Sequence, residues 1–313
     1  MVSEGVVDTD DRRLIAALQC DGRLTPEHAA RVLGLNPRAV QRRLRALLAD
    51  GRLRVVAVRP RTPLLGVTML RIRVLRGTID AVTAALVARE DIPYVDVSAG
   101  GDEISVVLAA GTDPRDRLVF RQLPATSAVT SVEAQTVMHV FADATDWRLD
   151  ALTETERAQL RPELGPPSDR EPDDLDERIL DLLAGDARLT AAAVATRTDT
   201  PESTARRRIS LLRKEQRFVT QGFIEPKHLG LNVDANILMR VPPARLDATG
   251  RQLARHPAVH GALATTGSFN LNVAVWLRDL EHLYQFITHD IAGLGLIDVE
   301  TVLVGRAVKR PGK

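Results

Sequence analysis

A chain of 313 residues, 44% apolar and 27% charged, is too long for one ordinary core and too apolar to stay disordered, so two to four folded domains are expected. The lone cysteine, Cys20, excludes an intramolecular disulfide, and the lack of a leader-like or long apolar stretch predicts a cytoplasmic protein with no membrane partner. The net charge of +1 excludes nothing, but its distribution is uneven: residues 10–61 hold twelve arginines against five acids, and residues 162–177 hold seven acids against Arg170 alone. Such segregation suggests a polyanion-facing segment and an acidic linker.

The sequence repeats at an offset of 165 residues. Asp11–Thr25 lies over Asp176–Thr190 with seven of fifteen positions identical, Arg42-Arg43 over Arg207-Arg208, Leu47 over Leu212, and, after one residue of slip, Leu65-Gly66 over Leu229-Gly230. A period this long marks a duplicated pair of domains rather than a solenoid.

In the first copy, Leu14, Ile15 and Leu18 recur at helical spacing in Asp11–Cys20, with Asp10 or Asp11 as the cap. Thr25-Pro26 supplies an N-cap and N1 proline for a second helix ending near Leu33; Gly34-Leu35 makes a turn, and Asn36-Pro37 opens a third helix running to about Leu48. Three short helices with a glycine-bearing turn before the third form a helix-turn-helix arrangement. Val40, Leu44 and Leu47 make the buried stripe of the third helix, leaving Arg38, Gln41, Arg42 and Arg45 on the opposite face. In the second copy Ala205, Ile209 and Leu212 form the stripe, and Ser203, Arg206, Arg207, Ser210 and Lys214 face outward. Arg, Gln and Ser donate to phosphates and base edges, so both faces are candidate double-stranded DNA readers. Arg52–Val58 and Arg217–Ile224 alternate enough to form a wing hairpin or a linking strand.

From Thr68 the period becomes two. The first copy predicts a strand through Val74, a helix at Ile79–Ala88, strands near Tyr94–Ser98 and Glu103–Ala109, a helix at Asp113–Gln122 and a strand near Thr130–Val140. The second predicts strand Val233–Val241, helix Leu246–Arg255, strands Gly261–Thr265 and Leu271–Leu277, helix Leu280–Ile291 and strand Asp298–Val308. This βαββαβ order predicts an α+β chain with two ferredoxin-like sheets, each with one face to cover, most simply against another such sheet. The division is winged helix-turn-helix at 8–62 and 174–227, ferredoxin-like ligand-sensing domains at 66–142 and 230–310, and a helix with acidic linker at 143–173, opened by a Thr153–Glu156 capping box. The middle hairpins carry Ala99-Gly-Gly-Asp102 and Thr265-Thr-Gly-Ser-Phe-Asn270. They are either plain turns or small-ligand loops, in which Gly100, Asp102, Gly267, Ser268 and Asn270 meet a small anion and an amine.

Together the opening Asp11–Leu18, the Arg-Leu-Thr before helix two, the basic third helix, the Leu-Gly before the first sheet strand and the Thr-Gly-Ser-Phe-Asn hairpin resemble the Lrp/AsnC, or feast/famine, regulators. The resemblance implies a winged helix-turn-helix and a sheet domain that self-associates and binds amino acids near its hairpin loops. This chain departs from the usual single-copy form in its doubled length, in Ala99 where the family often has Thr, and in Asn270 where Asp is common.

No HExxH, Cys/His metal spacing, Walker loop or GxGxxG occurs, so no cofactor, metal or catalytic residue is assigned. Two alternatives remain: a ligand-binding protein with degenerate DNA helices, and an enzyme similar to the sirohaem decarboxylases, which share this look and carry a basic, His-containing stretch after the helix-turn-helix. Here only His228 fits that place.

Overall fold

The computed structural model describes residues 7–59, 66–109, 118–144, 147–166, 168 and 170–310. The first copy forms α1 (Thr9–Cys20), α2 (Pro26–Leu33), α3 (Pro37–Ala49), β1 (Leu53–Val58), β2 (Thr68–Val74), α4 (Ile79–Val87), β3 (Tyr94–Ser98), β4 (Glu103–Leu108) and β5 (Val129–Ala142). A helix α5 (Glu154–Leu160) follows. The second copy forms α6 (Asp174–Gly185), α7 (Ala191–Thr198), α8 (Glu202–Lys214), β6 (Val219–Ile224), β7 (Val233–Arg240), α9 (Pro243–Leu253), β8 (Val259–Thr265), β9 (Leu271–Leu277), α10 (Leu280–Gln285) and β10 (Asp298–Lys309). Of the helix expected at Asp113–Gln122, residues 113–117 lie outside the described residues, and Leu118–Gln122 forms a single wide turn. Among the described residues no helix is long and apolar enough to cross a membrane.

The chain divides into two compact units, each built from both copies. The first holds the six helices α1–α3 and α6–α8 together with α5, β1 and β6. Their ends are fixed by side chains that satisfy the free N–H groups of a first helical turn. Thr25 accepts from His28 N above Pro26, and Asn36 accepts from Arg38 and Ala39 N above Pro37. The cap of α1 is Asp8, which accepts from Asp11 N at 2.8 Å; Asp10 and Asp11, the expected caps, lie inside the first turn where their charge suits the helix dipole. The turn before α3 uses Gly34 at φ 68°, and its equivalent before α8 is Asp199 at φ 55°, a left-handed position that Asp tolerates better than most side chains.

Among the described residues neither copy makes a private wing. β1 and β6 pair with each other, antiparallel, from Leu53↔Ile224 to Val58↔Val219. β6 packs on α1 and β1 packs on α6, so each strand completes the other copy's core.

The second unit corrects the expected fold. The two open ferredoxin-like βαββαβ sheets do not occur; eight strands close into one barrel in the order β10-β3-β4-β2-β5-β8-β9-β7. The cause is the length of two strands. β5 runs for 14 residues, pairing with β2 through Thr136 and with β8 from Val137 onward; β10 runs for 12, pairing with β7 through Leu303 and with β3 from Val304. Register shifts within the β5–β8 and β10–β3 pairings let the long strands bend from one half to the other. Closure leaves no unpaired strand edge, which an open sheet would expose.

Alternate residues of each strand face outward or inward. Outside, Leu70, Ile72 and Val74 pack with Val82 and Leu86 of α4, and Ile237, Met239 and Val273 pack with Leu253 of α9 and Leu283 of α10. Inside, the barrel holds charged groups that pair across it. Arg71 forks Glu103 at 2.9 and 2.9 Å and Glu300 at 3.0 and 2.6 Å, linking β2 to β10 across the interior. Burial pulls the Arg71 guanidinium down, but these two carboxylates more than offset it and its pKa is raised. Ten residues beyond Glu300, Arg310 bridges Asp96 at 3.1 Å and Asp234 at 2.8 Å, next to a buried His260 stacked on Trp276 with centroids 3.8 Å apart.

Candidate nucleic-acid interface

The third helix of each copy is seated by an arginine that points inward. Arg43 donates to Asp8 at 2.6 Å and Asp11 at 2.9 Å, at the start of α1, and both bonds push its pKa up. Its equivalent, Arg208, reaches Asp173 at 2.7 Å and Asp176 at 3.2 Å. A second equivalent pair ties the first helix to the second: Arg13 donates to Leu33 O at 2.9 Å, and Arg178 to Thr198 O at 2.7 Å. These contacts hold the outward face of α3 and α8 at a fixed rotation, which positions whatever that face carries.

On α3, Val40, Leu44 and Leu47 are buried, and Arg38, Gln41, Arg42 and Arg45 are exposed. Among the described residues none of these four side chains has a hydrogen-bond or ion-pair partner, so three guanidiniums stand free on one helical face. On α8, Ser203, Arg206, Arg207 and Ser210 are likewise exposed over Ala205, Ile209 and Leu212. There Arg206 is held by Glu202, one turn earlier, and only Arg207 is a free guanidinium among the four. The structure thus brings each set of four onto one face, and it separates Arg42 from Arg43 and Arg207 from Arg208, neighbours that look alike in sequence. Glu202 is the residue that the sequence reading passed over; its spacing four before Arg206 was the available signal.

The hairpin loops lie in the barrel unit. In Thr265–Asn270, Gly267 has φ 101° and packs near Gln135, and Gly267 and Ser268 are exposed. Asn270 clasps the end of β7: its Oδ1 accepts from Val241 N at 2.8 Å and its Nδ2 donates to Val241 O at 2.9 Å. Behind the loop, Asn272 Nδ2 donates to Gln135 Oε1 at 3.0 Å and to Thr265 Oγ1 at 2.8 Å. In the first hairpin, Gly101 takes the left-handed position at φ 70°, and Ser98 Oγ donates to Asp102 Oδ1 at 3.3 Å while accepting from Glu103 N. Gly100 lies against the Asp102 side chain. His228 sits in a tight turn at Pro226–Leu229, where its carbonyl accepts from Val7 N at 3.0 Å. Among the described residues no group of three or more His, Cys, Asp or Glu is placed to hold a metal ion.

Comparison with known proteins matches the AsnC-type helix-turn-helix domain to residues 7–48, a winged helix-turn-helix DNA-binding domain to 172–216, and the Lrp/AsnC ligand binding domain to 234–313. The HTH-type transcriptional regulator PH0140 of Pyrococcus horikoshii is 32% identical over 144 residues, which span 45% of this chain and 89% of that protein. The chain belongs to the Lrp/AsnC family. It is an Lrp/AsnC-type helix-turn-helix transcriptional regulator in which both domains are duplicated. A second relative, the HTH-type transcriptional regulator FL11 of Pyrococcus furiosus, is 27% identical over 118 residues, 37% of this chain and 77% of its own length. A solved structure of the siroheme decarboxylase NirDL, in complex with an iron-uroporphyrin III analogue, matches 97% of the chain and 93% of its own with a TM-score of 0.61. At 14% identity that likeness shows the shared fold of the duplicated Lrp/AsnC chain and nothing of its chemistry.

Proposed function

We propose that this regulator binds double-stranded DNA through the outward faces of α3 and α8, with the first copy supplying most of the affinity. The observation that carries this reading is the row of three partner-free guanidiniums, Arg38, Arg42 and Arg45, beside Gln41 on α3. A free guanidinium forks a guanine edge or a phosphate without first breaking an ion pair, whereas Arg206 must leave Glu202. The two faces differ in composition, so the preferred site is an imperfect inverted repeat. The test is to sequence fragments captured by the purified protein and titrate one across salt concentrations. Saturable binding to a two-part motif with a steep salt dependence supports the reading; no preference over random duplex overturns it.

The effector we assign is a small amino acid or related metabolite at Thr265–Asn270. Gly267 N–H and the Ser268 hydroxyl meet its carboxylate, and Asn270 Oδ1, which keeps one lone pair beyond its bond from Val241, accepts from its ammonium. The corresponding Gly100 and Asp102 of the first hairpin bind differently or more weakly, since Ala99-Gly-Gly-Asp102 carries no hydroxyl in the place of Ser268.

A further inference from the structure

The two reading helices are equivalent at a 165-residue offset, which allows their outward faces to be compared position by position. Pro37, Arg38, Gln41, Arg42 and Arg45 of α3 correspond to Glu202, Ser203, Arg206, Arg207 and Ser210 of α8. The first set carries three positive charges and no acid. The second carries two positive charges and one acid, and that acid is ion-paired to one of the two arginines. Glu202 opens α8, whose cap residue Pro201 offers no side-chain acceptor, so the Glu202 carboxylate is the anionic group of the first turn.

We propose that Glu202 is the specificity-determining residue of the second reading helix. In helix-turn-helix proteins the N-terminal residues of the recognition helix approach base edges. A carboxylate at that place repels phosphate oxygens, so any DNA that offers it no donor is disfavoured. It accepts a hydrogen bond from the N4 amino group of cytosine, the base whose major-groove edge presents a donor that suits Glu. While Glu202 holds Arg206, that arginine adds little sequence-independent attraction, and Arg207 and Lys214 are the cations this face leaves to the backbone. When a cytosine takes the carboxylate, Arg206 is released to a phosphate or a guanine. The affinity that Arg206 supplies is therefore conditional on sequence, whereas the free arginines of α3 bind any backbone. The inference rests on the DNA-binding reading above and adds to it a division of labour between the halves.

The test uses the full chain and its Glu202→Gln variant, with thermal melting to establish that both are folded. Each is titrated with a random-sequence duplex from 50 to 200 mM salt, and each is used to capture genomic fragments. Removing the charge should tighten random-duplex binding and steepen the log–log salt slope by about 0.9, the value of one added phosphate contact. The captured motif should lose a cytosine preference at one position of one half-site, where the wild type favours it about fivefold or more. The mirror change, Pro37→Glu, should weaken random-duplex binding. If the wild type selects a motif and Glu202→Gln changes neither slope nor motif, the pair is only a helix-stabilising contact and the proposal is wrong. If the wild type binds no duplex DNA, the DNA-binding reading itself fails.

Discussion

Arg23 and Arg188, equivalent residues of the two copies, each donate to the main chain of the other copy. Arg23 donates to the carbonyls of Ala187 and Leu189, and Arg188 to those of Gly22 at 2.5 Å and Leu24 at 3.2 Å. Burial lowers the pKa of both guanidiniums, and each satisfies two carbonyls of the other copy. Arg213 adds a third tie, to Asp21 at 2.6 Å. With the β1–β6 pairing, these contacts make the two helix-turn-helix copies one reading head.

Truncating either arginine should therefore loosen this unit. Arg23→Ala or Arg188→Ala leaves two half-buried carbonyls unpaired, at a cost of about 1–3 kcal/mol. Urea denaturation followed by the helical signal measures it. A loss within about 0.3 kcal/mol of zero for both variants would show that solvent replaces the contacts.

Neighbouring arginines on α3 should separate cleanly. Arg42→Ala or Arg45→Ala should leave stability nearly unchanged and flatten the salt dependence of DNA binding by roughly 0.9 per lost phosphate contact. Arg43→Ala should instead destabilise the fold, because Asp8 and Asp11 lose the cation that bonds them. Arg206→Ala should cost less DNA affinity than Arg42→Ala. Equal effects at 42 and 206, in titrations at several salt concentrations, would contradict the ranking.

How far the sequence could have gone is clear from these helices. The Asn36-Pro37 cap and the Val40, Leu44 and Leu47 stripe were legible because a helix is set by residues three and four apart. The inward role of Arg43 was also present, in the repeat itself: Asp8, Asp11 and Arg43 recur as Asp173, Asp176 and Arg208. Closure of the barrel was not legible. The lengths of β5 and β10 were visible as long alternating runs, but which strand pairs with their second halves depends on partners far along the chain. Nor does alternation distinguish a strand that folds back on its neighbour from one, like β1, that pairs with β6 of the other copy.

The loop assignment predicts a stabilising ligand. Among the amino acids, at least one should raise the melting temperature, as a ligand preferring the folded state must. Ser268→Ala should reduce that shift while leaving the unliganded protein unchanged, since the Ser268 side chain is exposed. Asn270→Ala is the harsher variant, because it also frees Val241. A shift undiminished by Ser268→Ala, or no shift from any amino acid, would reduce the loop to a turn.

Acid should weaken the barrel through His260. Burial drives its pKa below the ordinary 6.5, against the smaller opposing pull of Asp234, 3.8 Å away, with Arg310 and Asp96 also facing it. The unfolded chain takes up this proton near pH 6.5 and the folded chain only at lower pH, so stability present above pH 6.5 is lost as the pH falls below it. The slope from one such group is at most about 1.4 kcal/mol per pH unit. Urea midpoints between pH 7 and 5 should decline for the wild type and decline less for His260→Phe. Identical slopes would assign the acid sensitivity elsewhere.

The closing strand of the barrel is also the last of the described strands to leave the ribosome. β3 ends at Ser98 and waits for residues 304–309, about 200 residues later, before its outer edge is paired. At roughly 5–20 residues per second that edge stays open for about 10–40 s of synthesis. Over that interval the nascent first half is an incomplete sheet whose open edge is a template for wrong pairing. Because one chain supplies all eight strands, closure of the barrel waits on synthesis.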